Sequence, residues 1–278
     1  MIYHGIDIHG DKGPIDWNAV RESGVRFAFP KVSEGYTFDD ARYQANLSQA
    51  RSYGVLTGGY HYARPDLHPG TEGARAEADH FCRQILACGW KKATDGKPVL
   101  DLEEGSGDLS GWSLAFCRRV EQNLGVKPIV YSYTSFIRSY IAGRPSAAVL
   151  AAEYPVLWIA NYGSNGGVTP HTIGVGESPW KAWTIHQWTS NGSTPGVSGR
   201  CDRNITRDLN ILRAVPLVAT TPSKDDVWTF IAWFEAIREF KGGKPHDPAT
   251  RPAVLRKKIP ARWWARLLLF RAARRKDV

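Results

Sequence analysis

Eight short runs rich in β-branched and aromatic residues recur through the first 205 positions, and this recurrence constrains the fold more than any other feature of the chain. They fall at 3–8, 25–32, 56–62, 98–103, 128–133, 156–162, 183–188 and 201–205. Between the early runs, segments 39–53, 73–88 and 111–124 carry apolar residues at the three- and four-residue spacing that lets a helix bury one face. Strand–helix alternation predicts a parallel sheet, and eight strands predict that it closes. The later connections, 163–171 and 190–199, are rich in Gly, Ser, Thr and Pro and read as loops. The expected fold is an α/β, irregular (β/α)8-like barrel with few helices in its second half.

Charge divides the 278-residue chain. Residues 1–220 hold 22 Lys+Arg against 21 Asp+Glu, whereas residues 221–278 hold 14 against 6, so the tail supplies +8 of the net +9. The expected organisation is a catalytic-type barrel over 1–213, a linker AVPLVATTPS over 214–223, and a basic helical region over 224–278. Ser223 with Asp226 resembles a capping box, and Val227, Phe230, Phe234 and Ile237 follow at helical spacing. Farther on, Trp263, Trp264 and Leu267 to Phe270 mix with Arg262, Arg266, Arg271, Arg274, Arg275 and Lys276. That composition suits an anionic cell-wall polymer or membrane surface. Nothing in the barrel segment favours nucleic acid.

Cys82, Cys88, Cys117 and Cys201 form no CxxC pair, and His61 and His186 belong to no HExxH pair, so neither a metal site nor a redox site is expected. Free buried thiols are. No stretch is long and apolar enough to span a bilayer, and the opening MIYHGIDIHG lacks the basic and apolar regions of a signal peptide. A protein held in a cytoplasm, outside the general secretory route, is the expectation.

Carboxylates supply the chemistry. In KPVLDLEE, Asp101 and Glu103 lie two apart on an expected strand, so both side chains point to one face and Leu102 to the other. The pair sits at the C-terminal end of its strand, where barrels of this kind place their reactive groups. Asp7 ends the first expected strand, and Asp202 lies in the last, which closure would return beside the first. Crowded acids raise one another's pKa, leaving one protonated while another stays charged, the division of labour that glycoside hydrolysis requires.

Other strand ends carry Glu34, Tyr62, Arg64, Tyr131, Tyr133, Trp158, Asn161, Gln187 and Trp188. Rings stack on sugar faces and amides bond hydroxyl or acetamido groups, so these nine are the expected substrate-binding residues.

Taken in order, GIDIHGDKGPIDW, PKVSEG, GGYHYARP, PVLDLEE, VYSYTSF, LWIANYG, IHQW and CDRN resemble glycoside hydrolase family 25 lysozymes over roughly residues 1–210. The resemblance implies a cofactor-free muramidase that cleaves the β-1,4 bond between N-acetylmuramic acid and N-acetylglucosamine of bacterial peptidoglycan. By motif, Glu103 matches the family's general acid, Asp101 its companion, and Asp7 and Asp202 two further acids of the cleft. His9 stands where the family commonly has a small polar residue, and PKVSEG replaces a KATEG-like run; both departures leave the carboxylates in place. Asp101 is expected to steer the substrate's own acetamido group as nucleophile. A wall-degrading domain without a signal peptide fits a phage endolysin that waits in the host cytoplasm. Two other readings are a wall-binding protein without hydrolysis and another barrel glycosidase such as a chitinase, although the DxxDxDxE pattern of the latter is absent.

Overall fold

The computed structural model describes residues 1–163 and 173–215. In chain order its elements are β1 (Tyr3–Ile8), α1 (Trp17–Glu22), β2 (Val25–Glu34), β3 (Phe38–Asp39), α2 (Tyr43–Ser52), β4 (Leu56–Thr57), β5 (Gly59–Tyr62) and α3 (Gly70–Ala87). They continue with β6 (Pro98–Asp101), α4 (Ser110–Leu124), β7 (Ile129–Tyr133), α5 (Thr134–Tyr140), α6 (Ala147–Glu153), β8 (Leu157–Ala160), β9 (Ile185–Gly192) and β10 (Cys201–Thr206).

Eight of the strands close on themselves in the order β1-β10-β9-β8-β7-β6-β5-β2 and back to β1; β3 and β4 are short additions alongside β2. From β1 through β2, β5, β6, β7 and β8 to β9 every pairing is parallel. The last strand departs from the expected all-parallel barrel, because β10 runs antiparallel to both β9 and β1. Connection length explains this: 193–200 is shorter than the dozen or so residues a parallel crossover needs, so β9 and β10 form a hairpin. The expected strand 56–62 is divided into β4 and β5 at Gly58, and α1, α5 and α6 are too short for their periodicity to show in sequence. Among the described residues no helix stands between β8 and β10, in keeping with the Gly- and Ser-rich composition there.

Period-2 alternation sorts the strand residues into two layers. Phe27, Phe29, Val99, Ile129, Tyr131, Trp158 and Ile185 fill the barrel interior. Leu100, Leu102, Val130, Leu157 and Ile159 point outward against Ala74, Ala78, Phe81, Phe116 and Val120 of α3 and α4. Burying each such Leu contributes roughly 1.5–3 kcal/mol. On α3 the buried positions 74, 78, 81, 82 and 85 make one helical stripe, and α4 ends at Gly125, whose φ of 63° supplies the left-handed turn that stops a helix. Asp16 caps α1 by accepting from the N–H groups of Asn18 and Ala19. Leu212 closes the barrel floor, held where the Lys97 N–H donates to its carbonyl at 2.8 Å.

Cys82, Cys117 and Cys201 are buried free thiols, and Cys88 is half-buried. Ala214 bonds back to the Asp95 carbonyl, so the barrel extends at least one residue into the expected linker. The rest of that linker, the Ser223 cap, the basic helical region 224–278 and most of the loop 163–171 lie outside the described residues. Among the described residues no helix is long and apolar enough to cross a membrane.

Gly58 has no room for a side chain, since a Cβ there would lie 2.3 Å from the Lys97 carbonyl oxygen and 2.7 Å from the Phe29 ring. Gly58→Ala is expected to cost about 1–3 kcal/mol in urea unfolding through overpacking. An unchanged midpoint would contradict the packing described between β4, β5 and β6.

Candidate active site

Four acids meet at one rim of the barrel because strand direction and alternation agree. Asp7 lies near the end of β1 with Ile6 and Ile8 facing outward. Antiparallel β10 enters at that same rim, so its start rather than its end comes to the top, and Asp202 pairs directly with Asp7 in the ladder. Across the barrel Asp101 ends β6. Glu103 lies just past the strand, where the Leu102 N–H still donates to the Tyr131 carbonyl at 3.0 Å and keeps the backbone extended. Asp101 and Glu103 therefore share the inner face, as the alternation predicts.

Asp7 and Asp101 are 8% and 7% exposed, so neither is well hydrated. One oxygen of Asp101 has no hydrogen-bond donor among the described residues, and its carboxyl lies within hydrogen-bonding reach of Glu103. Two carboxyls can bond only if one is protonated. Burial, then the neighbouring Glu103, pushes Asp101 well up, and burial also raises Glu103, so the pair retains a proton far more readily than free carboxylates do. Burial and then Asp202 push Asp7 up, against hydrogen bonds from Asn204 and Gln187 that pull it down. Burial raises Asp202 to about 6.

The expected substrate-binding residues fall into two groups. Tyr62, Tyr133 and Asn161 are half-buried at the rim: Tyr62 donates to Glu104 at 3.0 Å, Tyr133 packs on Phe136, and Asn161 bonds Thr134 and the Gly163 N–H. Glu34 accepts from Lys31 at 2.6 Å and from Arg64 at 3.0 Å, and Arg64 also forks onto Asp66. Trp158, Gln187, Tyr131 and Trp188 are instead buried. Trp158 lies against Phe29 and Tyr131 and donates to Asn204 at 2.8 Å, which leaves little of its ring for a sugar. Gln187 is bonded by Tyr131, Tyr162 and Asp7, and Trp188 packs near the Arg203 guanidinium. Sequence reading passed over Asn204 and Lys31. Asn204 stands two residues from Asp202, so the alternation that pairs Asp101 with Glu103 marks it too.

Beneath the Glu34 side of the rim runs a chain of buried polar groups. The Ser33 hydroxyl lies 2.9 Å from one nitrogen of His61, whose other nitrogen is 2.9 Å from Glu77; Glu77 also takes the Arg64 N–H and His68. Ser33, His61 and Glu77 are wholly buried, so this Ser-His-Glu arrangement is closed to substrate and serves to hold residues 62–68 against α3. A groove of about 360 Å³ between α3 and α4 is lined by Arg75, Arg118 and Arg119, each held by Glu72, Glu153 or Asp79. It carries no cluster of acids.

Comparison with known proteins assigns the barrel. The family model described as glycosyl hydrolases family 25 matches residues 6–197. The chain belongs to this family. Within family 25, it is 31% identical over 211 residues to Lysozyme M1 of Streptomyces globisporus, covering 72% of this chain and 66% of that one, about two thirds of the relative's length. The crystal structure of the bacterial lysozyme from Streptomyces coelicolor superposes with a TM-score of 0.63 at 28% identity, over 77% of this chain and 96% of that one. The CTP1L endolysin structure gives 0.61 at 30%, over 74% and 67%. A family 25 chain is a glycoside hydrolase, and the acid cluster occupies the barrel rim that such an enzyme needs.

Crowding of acids carries a cost that depends on pH. An acid whose pKa rises on folding, from 3.8 to about 6 for Asp202, favours the native state only while protonated, so stability falls as pH climbs between those values. Asp202→Asn is therefore expected to be more stable than the parent above pH 7, by roughly 1–3 kcal/mol, with the gain vanishing near pH 4. Thermal melts across that range check it; a difference independent of pH would contradict the assigned burial.

Proposed function

We propose that the protein is an N-acetylmuramidase that hydrolyses the β-1,4 bond between N-acetylmuramic acid and N-acetylglucosamine in bacterial peptidoglycan. The observation that carries this reading is the juxtaposition of buried Asp101 and half-buried Glu103 on one face at the barrel rim, opposite Asp7 and Asp202, where burial favours the protonated form of each. Glu103, the less enclosed of the two, gives its proton to the glycosidic oxygen. Asp101 accepts a hydrogen bond from the N–H of the substrate's acetamido group, turning its carbonyl oxygen onto the anomeric carbon. The C–O bond breaks as the ring closes, and Glu103, now charged, takes a proton from the water that reopens it. Two displacements leave the anomeric configuration retained. Asp7 and Asp202 add negative charge where positive charge develops on the sugar ring. Tyr62, Tyr133, Asn161, Glu34 and Arg64 line the approach, with Tyr131, Trp158, Gln187 and Trp188 supporting it from below.

Glu103→Gln is expected to lower clearing of purified walls by about 10²-fold or more while the melting temperature stays near the parent's, because the amide keeps the shape and loses the transferable proton. Near-parental clearing by the folded variant would refute the assignment. A protein that binds walls without hydrolysing them would pellet with them and leave their optical density unchanged.

The likeness to the CTP1L endolysin supports a phage endolysin, held in the host cytoplasm until another protein opens the membrane and then acting at the wall. The basic tail supplies retention on an anionic wall polymer or membrane surface. Truncation after Thr221 is expected to spare cleavage of soluble muropeptide oligomers, since every proposed catalytic residue precedes it, and to reduce pelleting with whole walls or anionic vesicles. Pelleting of the intact chain should fall steeply with added salt. Pelleting unchanged by truncation and by salt would remove the retention role.

A further inference from the structure

Asp7 is nearly buried in an acidic surrounding. Asp202 faces it from β10, Asp101 and Glu103 from the end of β6, and Tyr60 of β5, Tyr131 of β7, Tyr162 beyond β8 and Cys201 of β10 complete the titratable groups around it. Lys12 acts on the Asp202 side. Charge alone would drive Asp7 to take up a proton. Its carboxyl oxygens accept from two side-chain amides: Asn204 Nδ2 at 2.7 Å from Oδ2, and Gln187 Nε2 at 3.2 and 3.1 Å from Oδ1 and Oδ2.

A carboxamide is two-faced, and turned over it would present an oxygen to a carboxylate. Neither amide here is free to turn. The Trp158 indole N–H is a donor only, and it points at Asn204 Oδ1 from 2.8 Å, so the Asn204 NH₂ must face Asp7. The hydroxyls of Tyr131 and Tyr162 donate to Gln187 Oε1 at 3.0 and 2.9 Å, which turns its NH₂ the same way. Asn204, Gln187 and Trp158 are all buried, so water does not compete for these bonds. Donors that bond only the charged form favour it.

We propose that Asn204, oriented by Trp158, and Gln187, oriented by Tyr131 and Tyr162, are positioning residues that hold the Asp7 carboxyl in one orientation and ease its ionisation against burial and Asp202. The brace also reaches the opposite wall: negative charge on Asp7 raises Asp101 of β6, so two amides on β9 and β10 that ease ionisation of Asp7 also favour a proton on Asp101. This inference rests on the muramidase reading only where lysis is its readout.

The test is a carbon-13 NMR titration of the Asp7 carboxyl, assigned by its loss in Asp7→Asn, together with pH profiles of wall clearing. Parent, Asn204→Ala and Trp158→Phe are compared. Losing a charge-assisted bond should raise the Asp7 midpoint in Asn204→Ala by about one to two pH units, and the acid limb of clearing should move with it. Trp158→Phe keeps a ring against Phe29 and Tyr131 but frees the Asn204 amide to turn, so it should shift the midpoint the same way by less. If Asn204→Ala does not fold, Trp158→Phe decides alone. An Asp7 midpoint unmoved in a folded variant overturns the brace, however much clearing is lost. If the parent fails to clear walls, the muramidase reading falls while the titration still judges the brace.

Discussion

Closure of the barrel by the antiparallel ladder between β1 and β10 is the constraint on which the rest depends. Had the last strand run parallel to its neighbours, its first residues would lie at the barrel floor and Asp202 would be far from Asp7. Because it runs the other way, one register places two acids side by side at the rim, and the backbone bonds that seal the sheet hold like charges together. The same strand then brings Asn204 beneath the pair. Repulsion and relief thus arrive on one segment, two residues apart.

Burying polar groups is costly unless each finds a partner, and the barrel meets that cost unequally. In the Ser33–His61–Glu77 chain each member is bonded, and the segment it holds carries Tyr62 and Arg64 to the rim. At Asp101 an oxygen is left without a donor among the described residues. A fold selected for stability alone would hydrogen-bond or replace that group. An acceptor kept bare at the mouth of a barrel is poised for a donor that arrives with a ligand, and the acetamido N–H of an amino sugar has that chemistry.

Much of the architecture is legible in the residues because it rests on local periodicity. All eight barrel strands appear at the expected places, and the three longer helices follow from one apolar stripe each. Strand direction is not written in strand composition: the expected bounds 183–188 and 201–205 leave twelve residues, enough for a crossover, and only the extension of β9 to Gly192 shortens the connection to 193–200. At the site, the spacing of Asp101 and Glu103 needed only alternation. Trp158 and Gln187 were harder, since a ring or an amide that suits a sugar suits an internal hydrogen-bond network equally well, and only depth in the barrel separates the two. Asn204 was readable by the same alternation from Asp202 but carries no charge to draw attention.

Sequence distance has a further consequence. Asp7 is bonded by partners 180 and 197 positions downstream. A chain still emerging from the ribosome can display Asp7, Asp101 and Glu103 while it lacks β10, and with it Asp202, Asn204 and the seam of the barrel. Unfinished chains, and chains cut before residue 201, therefore carry the separate acids without the assembled cluster. The order in which the strands are synthesised delays assembly of the cluster until the last of them is in place.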